Sequence, residues 1–113
     1  MATLFDLNLS RGSQFSIRLI AQNEDGSAIN LSGYELRGQA KQGYSGPLLV
    51  NLNPTKVVGF ETSGYIDILL SSAQTSGIPV TQGVYDIEIY QTGSSYAEAL
   101  IKGYIEVHPD VTF

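Results

Sequence analysis

A two-residue alternation of apolar and polar side chains recurs along the chain and limits what it can fold into. In "QFSIRLIA", Phe15, Ile17 and Leu19 fall on one parity and mostly polar residues fall between them. Successive side chains of a β-strand point to opposite faces, so this pattern predicts a strand with one buried face. The segments "YELRGQAK", "YIDILL", "VYDIEIYQ" and "ALIKGYIEV" repeat the alternation and predict further strands.

Turn signals separate these runs at the spacing of a β-sandwich. Asp25 and Gly26 predict a tight turn, because glycine takes a positive φ without steric cost. "QTGSS" predicts the turn of one long hairpin that runs from Val84 to Val107. The one helical turn that we expect covers about residues 71–77, with a serine cap at its start and a glycine at its end.

Seven to eight short strands in 113 residues favour an all-β fold, and specifically an immunoglobulin-like antiparallel β-sandwich. A small Greek-key barrel is the competing topology. We expect residues 1–113 to form a single β-sandwich domain, because a chain of this length supports one core. The middle of the chain is expected to add two irregular edge strands, at about Leu48–Val50 and Val57–Phe60.

The charge and composition of the chain exclude several classes of partner. The net charge is −5, and the six basic residues are scattered, whereas a nucleic-acid surface needs several clustered Lys or Arg. The sequence has no cysteine, which removes disulfides and thiol chemistry. It shows neither a secretory leader nor a run of ~20 apolar residues. We therefore expect no nucleic-acid and no membrane partner.

Acidic residues set among tyrosines near the C-terminus raise the question of a catalytic or metal site. Asp86 and Glu88 alternate with apolar residues, and Glu106 does the same in the next run. This parity predicts that all three carboxylates lie on the solvated face of an amphipathic strand pair. A surface cation, or a charge pair with Lys102 across the hairpin, stays open on that face.

The remaining polar motifs do not form a recognisable catalytic or ligand-binding pattern. His108 precedes Pro109 at a strand end, without the orienting partner and nucleophile that a general base needs. "NEDGS" lacks the alternating ligands and the distal Glu of a calcium loop, so a turn is favoured. We expect no catalytic, metal or cofactor-binding residues, no cofactor and no enzymatic activity.

Several apolar and aromatic residues fall on the outward parity, which indicates that the second face of the sheets is not wholly in water. Tyrosine is a good strand former, and it is also enriched in protein interfaces. The candidate contact residues are Ile20, Tyr65, Leu69, Tyr90, Leu100 and Tyr104.

Three segments carry a resemblance to a known class of proteins: "LSGYELRGQAK", "LSSAQTSGIPVTQGVYDIEI" and "IKGYIEVHPDVT". With the order of the segments around them, they resemble small bacteriophage virion proteins of the tail and baseplate class, including the N-terminal domain of phage baseplate upper proteins. The likeness covers nearly the whole chain. It implies an immunoglobulin-like β-sandwich that serves as an assembly piece, with no catalytic residues to carry over.

The resemblance implies a non-enzymatic structural component of a tailed-phage virion, a tail, baseplate or neck adaptor, made in the host cytoplasm. Its expected partners are other virion proteins, and a homo-oligomer or symmetric ring is expected within the particle. Baseplate relatives are often the N-terminal parts of much longer chains, whereas this sequence ends at Phe113, so we expect an adaptor or accessory role rather than direct host binding. The alternatives are a capsid decoration protein and a carbohydrate-binding β-sandwich module that uses exposed tyrosines.

Overall fold

The computed structural model describes residues 3–23, 25–43, 45–79 and 81–109. Within these residues the chain forms nine strands: β1 (Thr3–Leu4), β2 (Leu7–Ser10), β3 (Phe15–Ile20), β4 (Glu35–Lys41), β5 (Leu48–Asn51), β6 (Thr55–Lys56), β7 (Tyr65–Leu70), β8 (Gln82–Tyr90) and β9 (Ala97–His108). A 3₁₀ turn covers Glu61–Ser63, and the short helix α1 covers Ser72–Ser76. No helix in this part of the chain is long and apolar enough to cross a membrane.

The strands form two sheets, which confirms the predicted all-β sandwich. The larger sheet has the order β1-β9-β8-β4-β5, with β2 also paired to β9, and the smaller sheet has the order β3-β7-β6. This is the immunoglobulin-like order B–E–D facing G–F–C–C′. The predicted long hairpin is the antiparallel pair β8–β9, and the predicted helical turn is α1.

The predicted alternation becomes the burial pattern of the strands. In β7, Ile66, Ile68 and Leu70 are fully buried while the residues between them reach the surface. The inward residues of both sheets meet in one apolar core, and Leu31, Leu52 and Ile78 from the connections close it. Thr75 of α1 is buried as well, and its hydroxyl lies 2.8 Å from the carbonyl oxygen of Ser13.

The first two strands run parallel to the last one, which differs from the purely antiparallel arrangement that we expected. Leu7 pairs with Ile105 in β9, and Thr3 pairs with Ile101. The backbone between β1 and β2 passes close to β9 at Gly103, where a Cβ would collide with the carbonyl oxygen of Phe5. Gly103 therefore permits a close backbone approach.

A β-bulge in the β8–β9 pair overturns the expected orientation of Leu100. Ile87 pairs with Ile101, but the next residue, Glu88, pairs with Ala99, so β9 carries one extra residue at Leu100. Leu100 and Ile101 are both buried, and Leu100 is only 4% exposed. The prediction that Leu100 faces outward is wrong, because strict alternation fails across a bulge.

The middle of the chain matches one of its two predicted strands. β5 confirms the strand expected at Leu48–Val50. The strand expected at Val57–Phe60 is wrong: these residues form a turn, with Gly59 at a φ of 85° and a hydrogen bond from Phe60 N to Val57 O. The strand lies instead at Thr55–Lys56, just before that turn.

Candidate functional site

The five outward candidate residues lie on two opposite surfaces of the sandwich. Ile20, Tyr65 and Leu69 belong to the outer side of the smaller sheet, whereas Tyr90 and Tyr104 belong to the outer side of the larger sheet. We call these surfaces the small face, defined by Ile20, Phe60, Tyr65 and Leu69 together with Arg18 and Asp67, and the large face, defined by Arg37, Asp86, Glu88, Tyr90, Lys102 and Tyr104.

The small face exposes a group of apolar and aromatic side chains. Ile20 of β3 stands directly opposite Tyr65 of β7, and the ring of Phe60 stacks on Tyr65 with centroids 5.8 Å apart. Ile20 is 45% exposed, Phe60 51% and Leu69 60%. Sequence reasoning did not select Phe60 because it assigned that residue to a strand end, whereas a turn brings its ring over the sheet.

An ion pair occupies the centre of the small face. Arg18 and Asp67 are direct partners across β3 and β7, with Nε to Oδ1 at 2.7 Å and Nη2 to Oδ2 at 3.0 Å. The hydrogen bonds from the Arg18 guanidinium hold the pKa of Asp67 below its usual value. The same guanidinium lies 5.6 Å from the ring centroid of Tyr65. The two charges of this face therefore neutralise each other.

The large face carries a comparable pair with a different surrounding. Arg37 of β4 donates to Glu88 of β8 with Nε to Oε1 at 2.8 Å, and its guanidinium lies 4.7 Å from the ring centroid of Tyr90. Tyr104 stands further along β9, opposite Val84, and is 60% exposed. Polar side chains separate the two tyrosines, so the large face has no continuous apolar group.

A shallow depression of about 270 Å³ lies on the large face. Its lining residues are Gln39, Lys41, Val84, Tyr85, Asp86, Glu88 and Lys102. Lys102 stands opposite Asp86, in the position for the charge pair across the hairpin that the sequence left open. Desolvation by the surrounding side chains, and then the negative charge of Glu88, raise the pKa of Asp86, while Lys41 opposes that shift.

Asp86 of the large face and the single histidine stay apart. The ring Nε2 of His108 lies 3.2 Å from Asn8 Oδ1 and 3.7 Å from Glu106 Oε1, at the end of β9. Asp86 pairs with Lys102, which is six residues earlier in the same strand. At about 3.3 Å per residue this separation is roughly 20 Å, so His108 and Asp86 share no site.

The acidic turn after β3 is organised by its own side chains. Asp25 Oδ1 accepts hydrogen bonds from Ser27 N at 2.9 Å and from Ser27 Oγ at 2.6 Å, and these bonds lower the pKa of Asp25. Gly26 takes the positive φ, 88°, that the turn prediction required. Glu24 of this motif lies outside the described residues. Among the described residues, no group of three His, Cys, Asp or Glu side chains is placed to hold a metal ion.

The two faces thus offer different chemistry to a partner. The small face presents exposed apolar and aromatic surface around a neutral ion pair, and the large face presents charges around a shallow depression. No protein-family model matches the chain, and no curated protein does either.

Proposed function

We propose that the protein is a non-enzymatic structural component of a tailed-phage virion, a tail, baseplate or neck adaptor that acts through protein–protein contacts. The observation that carries the proposal is the small face, where Ile20 and Phe60 are exposed around Tyr65 at one end and Leu69 is exposed beyond the Arg18–Asp67 pair at the other. Several large apolar and aromatic side chains exposed on one face are typical of surfaces that contact another protein.

The electrostatics of the small face support a contact surface. A partner that covers this face must remove water from Arg18 and Asp67, and removal of water from an unpaired charge is costly. Both groups already satisfy each other with two hydrogen bonds. Tyr65 adds a ring of the type that is enriched at interface centres.

The choice of a virion rests on the resemblance of three segments, whose described residues fall largely in β4, in the α1–β8 region and in β9. These segments build the frame of the sandwich and contribute little to the small face. We propose no catalytic step, since Arg37 engages Glu88 and His108 stands apart from Asp86.

Labelled particles test the proposal. A phage encoding an epitope-tagged chain is purified by density gradient and imaged by negative stain with gold-labelled antibody. We expect gold at one defined position on the particle. Tag found only in the host extract, and not in purified particles, would contradict a virion role.

A matched pair of variants tests the small face as the contact. The double change Ile20→Asp and Leu69→Asp places charges among the apolar residues, and Tyr104→Asp places one on the large face as the control. We expect the first variant to be lost from particles while the control is retained. Equal incorporation of both variants, with both folded by circular dichroism, would show that the small face is not the contact.

The same particles separate the adaptor role from capsid decoration. After the tails are detached from the heads, an adaptor stays with the tail or neck fraction at a few copies per particle. A decoration protein stays with the heads at a copy number that follows the capsid lattice. Quantitative immunoblotting of the two fractions distinguishes these roles.

One observation favours a carbohydrate-binding role as the second candidate. Tyr104, 60% exposed, stands opposite Val84, which lines the depression on the large face beside polar side chains such as Gln39 and Lys102. A sugar could stack on the tyrosine and bond to those groups. Glycan-array binding by the purified protein that is lost in Tyr104→Ala would support this role, and an absence of binding would remove it.

A further inference from the structure

The four sheet edges of the sandwich differ in how they are protected against pairing with another strand. β1 and β2 are only two and four residues long, and two residues outside the strands separate them. The register of β5 against β4 shifts between Ala40 and Lys41, and β6 has only two residues. Short strands and bulges are common devices that block edge-to-edge association.

The free edge of β3 lacks these devices. β3 has six residues that pair with β7 in continuous register, from Phe15 opposite Leu70 to Ile20 opposite Tyr65. Its sequence "FSIRLI" contains neither proline nor glycine. Its one charge, on Arg18, is neutralised by Asp67. Phe15 and Ile17 are only half-buried, because no strand covers them on that side.

The backbone groups of β3 that point away from β7 can be assigned from one hydrogen bond and the alternation of bonding groups along the strand. Ala21 N donates to Gly64 O across the extension of the β3–β7 pair. Since N–H and C=O groups alternate between the two sides of a strand, Ile17 and Leu19 bond to β7, while Ser16 and Arg18 direct theirs to the free edge. Within the described residues, β3 pairs with β7 alone, and no turn, loop or side-chain hydrogen bond uses those outward groups.

We propose that a second copy of this chain occupies the free edge, with its own β3 antiparallel to the first. The two small sheets then join into one continuous sheet with the order β6-β7-β3-β3-β7-β6 across a twofold axis. Such an interface is self-complementary, as closed homodimers require. The main-chain bonds supply affinity, as in other cases of strand addition.

The sequence of β3 selects one register for this pairing. When Ile17 faces Ile17 of the second copy, Phe15 faces Leu19 and Ser16 faces Arg18, so apolar residues meet on the inner side. Ser16 and Arg18 then exchange the outward backbone bonds in both directions. A shift that places the two Arg18 side chains opposite each other is disfavoured by like charge.

A depression beside the edge fits the same register. It measures about 240 Å³ and is lined by Phe5, Arg18, Leu19, Ile20 and Ile101, where the two sheets part. Phe15 of the second copy, facing Leu19 on the inner side, enters at the mouth of this depression. The aromatic ring that is half-exposed in one copy is thereby buried by the other.

This inference rests on the homo-oligomer that the resemblance implies as part of the proposed function, but it concerns the isolated protein and is tested separately. If the protein is a monomer in solution, the proposed dimer is wrong, whereas the virion role is still tested only by the particle experiments. In that case the free edge of β3 would remain available to a strand from a different protein.

Sedimentation equilibrium of the full chain and of Ser16→Pro gives the first test. Proline at position 16 removes an N–H that points to the free edge and leaves the bonds to β7 intact. We expect a dimer for the native chain, and for Ser16→Pro a dissociation constant raised by about tenfold or more, with the thermal midpoint of unfolding little changed. Ser16→Ala, which keeps the N–H, is the matched control and should remain dimeric. Equal dissociation constants for Ser16→Pro and Ser16→Ala would overturn the proposal.

Single-cysteine variants test the register, since the chain has no cysteine of its own. In the proposed register the two copies of residue 17 form a close, non-hydrogen-bonded pair, which suits a disulfide. Ile17→Cys should therefore form a covalent dimer under mild oxidation. Ser16→Cys, whose two copies are offset along the strands, and Leu48→Cys on β5 are the controls and should form it far more slowly. Equal rates in all three variants would overturn the proposal.

Discussion

Both outer faces of the sandwich contain an arginine that pairs with a carboxylate across two strands and lies over a tyrosine. On the small face Arg18 lies over Tyr65, and on the large face Arg37 lies over Tyr90. In each case the tyrosine stands two residues from the carboxylate in the same strand. The same local arrangement therefore occurs once on each sheet.

The side chains around the two pairs differ, and this difference is the reason why the small face, and not the large face, is the proposed contact surface. On the large face the neighbours are further charged side chains, such as Lys102 and Asp86, which stand opposite each other and are exposed. On the small face they are Ile20, Phe60 and Leu69, which are 45–60% exposed. A cross-strand charge pair fixes strand register on either face. The apolar neighbours of the Arg18–Asp67 pair are the feature on which the proposed protein contact rests.

The largest expected effect compares two leucines that share the outward parity in the sequence. Leu100 lies in the core at the bulge, and Leu69 lies on the small face. Leu100→Ala should lower the free energy of unfolding by about 2–5 kcal/mol, because it leaves a cavity. Leu69→Ala should change it by less than about 0.5 kcal/mol. Urea unfolding measures both, and equal losses would place Leu69 in the core as well.

The next effect concerns the apolar surface itself. The double change Ile20→Ser and Leu69→Ser removes the two exposed aliphatic side chains of the small face. We expect a clear loss of retention on a hydrophobic-interaction column. The matched change Tyr90→Ser and Tyr104→Ser on the large face should lower retention less, because Arg37 already covers the ring of Tyr90. The reverse order would assign the contact surface to the large face.

A smaller effect comes from the acidic residues, whose pKa shifts have opposite signs. The lowered pKa of Asp67 means that its contribution to stability is present above its unfolded-state pKa and is lost as the pH falls through the folded-state value. The raised pKa of Asp86 gives a contribution that is present at low pH and is lost as the pH rises through the folded-state value.

At neutral pH, therefore, Asp67→Asn should destabilise the fold, and Asp86→Asn should leave the free energy of unfolding unchanged or raise it by well under ~1 kcal/mol. Carboxyl-carbon NMR titration of the native protein should show Asp67 titrating below Asp86. Urea unfolding of the two variants across the acidic range checks the stability. Shifts of the same sign for both residues would contradict the difference between the faces.

The smallest effect tests the rings beneath the arginines. Tyr90→Leu keeps an apolar side chain under Arg37 but removes the aromatic face, so it should cost about 0.5 kcal/mol of unfolding free energy. Tyr65→Leu should show less coupling to its arginine, because the guanidinium lies 5.6 Å from the ring rather than 4.7 Å. Double-mutant cycles with Arg18→Ala and Arg37→Ala measure the two couplings. A stronger coupling on the small face would reverse this order.

The alternation of side chains was sufficient to predict most of the core. It placed Ile66, Ile68 and Leu70 inward, and it placed Asp86 on the exposed side of the long hairpin, because residue parity fixes the face of a regular strand. Turn chemistry placed α1 equally well, since Ser71 and Gln74 form a reciprocal capping box.

The features that the sequence did not reveal depend on contacts between distant segments. Parity failed at Leu100 because a bulge depends on how two strands are paired. Phe60 joined the small face through a turn that positions its ring over Tyr65. The division of the contact candidates between two faces followed from sheet order, which alternation within single strands does not encode.

The position of the first strands along β9 has a consequence for how the protein is made. Asp6 accepts a hydrogen bond from the backbone of Tyr104, 98 residues later in the chain, at 3.1 Å. During synthesis β1 and β2 therefore have no place to dock until β9 has left the ribosome. Bringing β1 and β2 to β9 closes a loop of nearly the whole chain, and this costs conformational entropy that is offset only when the contacts with β9 form. The final step of folding should be the docking of β1 and β2, which are synthesised first, onto β9, which is synthesised last.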